Sequence, residues 1–160
     1  MKRLFPLIFL AAVFLISGCS SDESLTLEKL KEDYPNDFKK PVEDTLSESE
    51  QNSLGLPSEL AFTPNTVKAT SQENETQVVY SSASEKEVKV ITTFNPENNI
   101  KTASEQITLD SGAVAGVERG DTSVIFEWYE SEKNVIHQLQ YISGDEETRL
   151  EEALEMVNSI

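Results

Sequence analysis

Val88-Lys89-Val90-Ile91-Thr92-Thr93-Phe94 reads as a strand. Val88, Val90, Thr92 and Phe94 fall on one side, with Lys89, Ile91 and Thr93 on the other, the period-two pattern of a half-buried β-segment. Asn95-Pro96-Glu97-Asn98-Asn99 follows as a turn. Before it, Val78-Val79-Tyr80 reads as a strand, and after it Ile107 and Leu109 form the core face of another. Asp110-Ser111-Gly112 turns into residues 113–118, and Arg119-Gly120-Asp121 turns into Val124, Phe126 and Trp128. A loop over residues 130–134 leads to a last strand, residues 135–142. Strands this close together, with no helix between them, predict an antiparallel β-meander.

One face of such a sheet needs a cover. The candidate is a C-terminal α-helix over residues 146–158, with Leu150, Ala153, Leu154 and Val157 on one stripe and Glu151, Glu152 and Glu155 opposite. Ser143 and Glu146 have the spacing of a capping box, and Asp145, Glu146 and Glu147 complement the helix dipole. The expected class is α+β, an antiparallel β-meander with the C-terminal α-helix packed on one face. Leu154→Asp is then expected to unfold it.

The stretch from Ser20 to Leu54 has a different texture. It holds ten acids against four lysines and few large apolar side chains. Such composition buries too little to offset ordering entropy, so residues 19–55 read as a disordered acidic linker. A flexible chain of that length spans about 30 Å. Leu27, Leu30 and Tyr34 share one helical face before Pro35, which gives either a short transient helix or a docking helix.

The amino terminus is a leader. Met1-Lys2-Arg3 is basic, residues 4–16 are an apolar run, and Ser17-Gly18-Cys19 is a small-residue cleavage site. The run is shorter than the ~20 apolar residues of a membrane-spanning helix. Ile16-Ser17-Gly18-Cys19 resembles the lipobox of bacterial lipoproteins. The resemblance implies diacylglycerol on the Cys19 sulfur and signal-peptidase cleavage between Gly18 and Cys19. It places residues 1–18 in the signal peptide and the mature protein on the extracytoplasmic face of the cell membrane.

Over its whole length of 160 residues the chain carries 29 acidic and 13 basic side chains, a net of −16. Removing Lys2 and Arg3 leaves 11 basic side chains and a net of −18. No basic stripe exists to neutralise phosphates, so no nucleic-acid partner is expected. That charge also repels anionic headgroups, so attachment rests on the acyl chains. One cysteine excludes an internal disulfide framework, and one histidine excludes most zinc sites.

Residues 56–160 carry a second resemblance. Leu56-Pro57-Ser58-Glu59-Leu60-Ala61-Phe62-Thr63-Pro64 is similar to the Leu-Pro-x-x-Leu-Pro-Phe opening of a Firmicute family of domains of unknown function. Asp110-Ser111-Gly112-x-x-Ala115, Glu127-Trp128-Tyr129 and the closing Asn158-Ser159-Ile160 agree with it. Ala61 replaces the second proline, and Gly116-Val117 stands where an aromatic is common. The resemblance implies a Gram-positive lipoprotein with a curved sheet, related to lipoprotein-carrier half-barrels. It supplies no catalytic residue.

Few residues offer chemistry. His137 shares a face with Val135, Leu139 and Tyr141, the ordinary setting of a packed histidine. No Gly-x-Ser-x-Gly elbow accompanies it, so nucleophilic catalysis is not expected. Glu130, Glu132 and Asn134 alternate in one loop without the pattern of a calcium site, and read as a solvated hairpin tip. Ile125 and Tyr129 are expected to face away from the core that Phe126 and Trp128 join. No cofactor, metal or catalytic residue is assigned.

Three functions stay open. The first is a non-enzymatic, membrane-anchored binding, sensing or interaction module with an unknown protein or lipid partner. The second is a lipid or lipoprotein carrier, which needs a dry groove lined by Phe94, Phe126 or Trp128. The third is a cell-wall hydrolase, which needs two carboxylates about 5–9 Å apart in a cleft.

Overall fold

A computed structural model describes residues 24–97, 103 and 105–160. Gly18, Cys19 and the leader lie outside the described residues. Seven strands form one antiparallel sheet: β1 Thr66–Gln72, β2 Glu75–Ser81, β3 Glu87–Phe94, β4 Glu105–Thr108, β5 Val114–Arg119, β6 Ser123–Glu130 and β7 Val135–Ile142. A C-terminal helix, Arg149–Asn158, lies against β6 and β7. The expected sheet-plus-helix class is therefore what the chain adopts.

The strand order departs from a simple meander. It runs β1-β2-β3-β7-β6-β5-β4. The hairpin expected between β3 and β4 is replaced by a crossing. Ten residues separate Phe94 from Glu105, enough for the chain to leave the sheet centre and restart at the far edge. β7 then returns beside β3, with Thr92 opposite His137 and Val90 opposite Leu139.

Register builds the core in rows. Ala69, Val78, Val90, Leu139, Phe126 and Val117 are successive cross-strand partners. Ser71, Thr76, Thr92, His137, Trp128 and Ala115 form the next row. All of these but Ser71 are buried. The alternation that predicts strands from sequence also selects the buried face, because successive side chains point to opposite sides.

The stretch expected to be a tether is part of the fold from residue 24 onward. Helix α1 spans Leu27–Asp33, a π-helical turn Pro35–Lys39, α2 Lys40–Thr45 and α3 Glu48–Gln51. Leu30, Phe38, Val42, Leu46 and Leu54 are buried in the same core as the sheet. Both the disordered linker and the boundary at residue 55 are thus corrected for residues 24–55. The physical reason is economy of apolar residues. A break at Tyr34, before Pro35, and a continuous helical run from Pro35 to Thr45 bring sparse side chains onto one face, where each large one contributes about 1.5–3 kcal/mol. Caps do the rest: Thr26 accepts the Lys29 N–H at 3.2 Å, and Ser47 with Glu50 forms a full capping box.

The C-terminal helix, α4, also differs in detail. Its first turn is not capped by Ser143 and Glu146. Asp145 Oδ1 accepts the N–H groups of Glu147 and Thr148 instead, at 3.1 and 3.4 Å, and α4 proper starts at Arg149. The buried stripe is Arg149, Ala153, Met156 and Val157, while Leu150 and Leu154 are only half-buried. Arg149 turns the helix toward itself: its guanidinium donates to the carbonyls of Ser143, Gly120 and Asp121. The expected weight on Leu154 therefore shifts to Met156.

Candidate functional site

The single histidine sits at the centre of a buried polar chain. The backbone N–H of Gly55 donates to Thr92 Oγ1 at 2.9 Å. Thr92 Oγ1 lies 3.2 Å from His137 Nδ1, and His137 Nε2 lies 3.1 Å from Glu130 Oε2. The Glu130 carboxylate only accepts, so Nε2 carries the hydrogen of the neutral ring and Nδ1 is left to accept from the Thr92 hydroxyl. That assigns the neutral tautomer with hydrogen on Nε2, which donates to Glu130. The Trp128 ring is 5.2 Å away, and Lys133 Nζ contacts Glu130 at 3.1 Å. Burial pushes the imidazole pKa below its ordinary value against the opposing pull of Glu130. Burial raises Glu130, but its bonds from Lys133 and His137 outweigh that and leave its carboxyl below the usual range.

Residue types alone make Thr92, His137 and Glu130 look like a nucleophile, a base and an orienting acid. Access argues otherwise. Thr92 is 1% exposed and His137 is fully buried, with Gly55 closing one side. The expectation of a packed histidine is met. Its partners were not legible in sequence, since Thr92 is 45 residues distant.

A second polar cluster ties α4 to the sheet. The Tyr141 hydroxyl donates to Glu152, whose two oxygens each accept from Lys86 Nζ at 3.2 Å. Phe62 stacks on the Tyr141 ring with centroids 6.4 Å apart. Burial raises Glu152, yet bonds from Tyr141 and Lys86 hold it below the ordinary carboxylate value. Glu130 to Asn134 also spends its oxygens internally: Asn134 Oδ1 accepts from the Tyr129 hydroxyl at 2.9 Å. Among the described residues no group of three or more His, Cys, Asp or Glu could hold a metal ion.

Hollows among the described residues include an open cleft and a very small one. The open cleft of about 690 Å³ lies between the start of α1 and residues 58–64, lined by Leu25, Lys29, Tyr34, Glu59, Leu60 and Phe62 among others. Its floor is a backbone knot. Leu25 N–H donates to the Ser58 carbonyl at 2.8 Å, and Ser58 N–H donates to the Ser159 carbonyl at 3.2 Å. Among the described residues Glu59 is the one carboxylate in its lining. Glu118 and Glu127 do border a common hollow, but it holds only about 20 Å³, room for a single water. Phe94, Phe126 and Trp128 line neither hollow and are buried in the core.

The sheet face opposite the helices carries the exposed apolar surface. Val114 and Tyr129 are the exposed large hydrophobics among the described residues, at 52% and 38%. Ala115 pairs with Trp128, so Val114 and Tyr129 are neighbours on the other side, and Tyr129 pairs with Ile136. A row of three apolar side chains thus crosses β5, β6 and β7. Tyr129 faces away from the core as expected, and Ile125 is half-buried on the same side.

No family model, curated protein or solved structure matches the chain. No helix among the described residues is long and apolar enough to cross a membrane.

Proposed function

We propose that this chain is an extracytoplasmic lipoprotein, held in the cell membrane by diacylglycerol on Cys19, whose folded part is a non-enzymatic binding and sensing module. The observation that carries the reading is where folded structure begins. Leu25 is already hydrogen-bonded to Ser58, six residues after Cys19. Six residues reach about 20 Å at full extension. The lipid therefore holds the domain against the bilayer rather than on a long spacer.

Burial of Thr92 and His137 supports a non-enzymatic role, because substrate has no route to them. The binding surface we assign is the outward sheet face around Val114, Tyr129 and Ile136, beside the place where Ala103 lies on Gly116. An aromatic-centred apolar row flanked by Gln138 and Gln140 has the composition of a transient protein interface, so the partner is a protein.

The test is photocrosslinking on intact cells from an unnatural residue at position 129 of the lipidated chain. A discrete protein adduct, lost in Val114→Glu and in the released Cys19→Ser form, supports the reading. Equal adducts from position 129 and from position 68 on the far edge strand would contradict it.

A further inference from the structure

We infer that His137 is a proton-responsive latch that seats the helical N-terminal cover on the sheet. This goes beyond the proposed function and does not depend on lipid anchoring. The latch is built from three pieces of chain. Gly55 ends the helical stretch, Thr92 belongs to β3, and His137 and Glu130 sit on β7 and β6.

Gly55 is pressed onto the imidazole. A Cβ there would lie 2.6 Å from His137 Nδ1 and 3.2 Å from Val90 Cγ1. One backbone donor, one hydroxyl and one imidazole nitrogen therefore share a site that water does not enter. The charged groups facing the ring are Glu130 from β6 and Lys133 from the following turn. Thr92, Trp128 and Gly55 supply the other neighbours and carry no charge.

In the neutral state every hydrogen in the chain has an acceptor. Gly55 N–H goes to Thr92, Thr92 O–H goes to Nδ1, and Nε2–H goes to Glu130. A proton on Nδ1 reverses one link. Both ring nitrogens are then donors, and Thr92 Oγ1 must accept from Nδ1 and Gly55 together. The Thr92 hydrogen is left without an acceptor, since its partners are Gly55 and His137 and the residue is buried. The arrangement is relieved by lifting residues near Gly55 away from the sheet, which readmits water.

Linkage sets the direction. The folded imidazole pKa lies below its ordinary value of 6.5. Between that folded value and 6.5 the opened form binds more protons, so acid favours opening. The seat is fully present above about pH 6.5 and weakens as pH falls toward the folded pKa, by up to about tenfold in opened population per pH unit.

The molecule carries its own reporter, because Trp128 is the single tryptophan and lies beside the single histidine. The experiment follows Trp128 fluorescence and the hydrogen-exchange protection factor of the Gly55 amide from pH 7.5 to 5.0, in the mature chain and in His137→Gln. The expected result is a fluorescence transition below pH 6.5 and a fall in Gly55 protection over the same range, both absent in His137→Gln. The same pH response in His137→Gln, or a flat response in the parent chain, overturns the inference. Should His137→Gln fail to fold, the imidazole Cε1–H resonance of the parent chain replaces it. Titration coincident with loss of Gly55 protection upholds the latch, and titration without that loss overturns it.

Discussion

Gly55 and His137 touch so closely that the glycine has no room for a side chain: a Cβ would stand 2.6 Å from Nδ1. The contact joins the end of the helical cover to the centre of the sheet. Thr92, Trp128 and Glu130 hold the imidazole on its other sides, so the ring cannot swing clear. Gly55→Ala is expected to cost about 1–3 kcal/mol, the range for overpacking a filled core. A shift of the urea midpoint measures it, and an unchanged midpoint would show that the ring yields freely.

The helical cover is expected to be integral to stability. Phe38 is fully buried on the π-helical turn that contacts β1. Phe38→Ala should cost about 3–5 kcal/mol through lost burial and a residual cavity. A side chain on a solvated tether would change stability by less than about 0.5 kcal/mol. Reversible denaturation of the two proteins separates these outcomes.

The strands were legible in sequence for one reason: Val88 to Phe94, Ser123 to Glu130 and Val135 to Ile142 alternate cleanly across a sheet with one wet face. β1 carries a weak signal because Thr66, Lys68, Thr70 and Gln72 are polar, and Val67 and Ala69 alone mark the buried side. Strand order was not legible, since alternation fixes a face and leaves the neighbour open. The N-terminal cover was hidden by its charge, its apolar residues being spaced by a break at Tyr34 rather than by one helical period. On α4 the buried face differs by a fraction of a turn because the Arg149 guanidinium finds three carbonyls in the core. Of the polar chain, His137 was recognisable as packed, while Thr92 and Gly55 reach it through tertiary contacts that no local pattern announces.

Tyr80 offers a stabilising substitution. Its hydroxyl is buried with no partner among the described residues, and burial pushes its pKa upward. Tyr80→Phe removes a desolvated polar group while keeping the ring. It should raise stability by about 1 kcal/mol. A loss of stability on thermal unfolding would instead point to a solvent molecule bonded to that oxygen.

Glu152 supplies a pH dependence with a definite sign. Its folded pKa lies below the ordinary carboxylate value because Tyr141 and Lys86 donate to the ionised form, against the effect of burial. Its contribution is fully present above about pH 4.5 and is lost as pH falls through the depressed folded value. The difference in urea midpoint between the parent chain and Glu152→Gln should therefore be larger at pH 7 than at pH 3. Equal differences at both would mean that the cluster does not stabilise the ionised carboxylate.

We propose that acyl chains on one sulfur hold this acidic domain at the outer face of the membrane. Intact mass spectrometry of the protein purified from its own membranes tests it most directly. The expected product is a mature chain beginning at Cys19 and carrying diacylglycerol on that residue. A chain that still bears residues 1–18, or one with an unmodified Cys19 thiol, would contradict it.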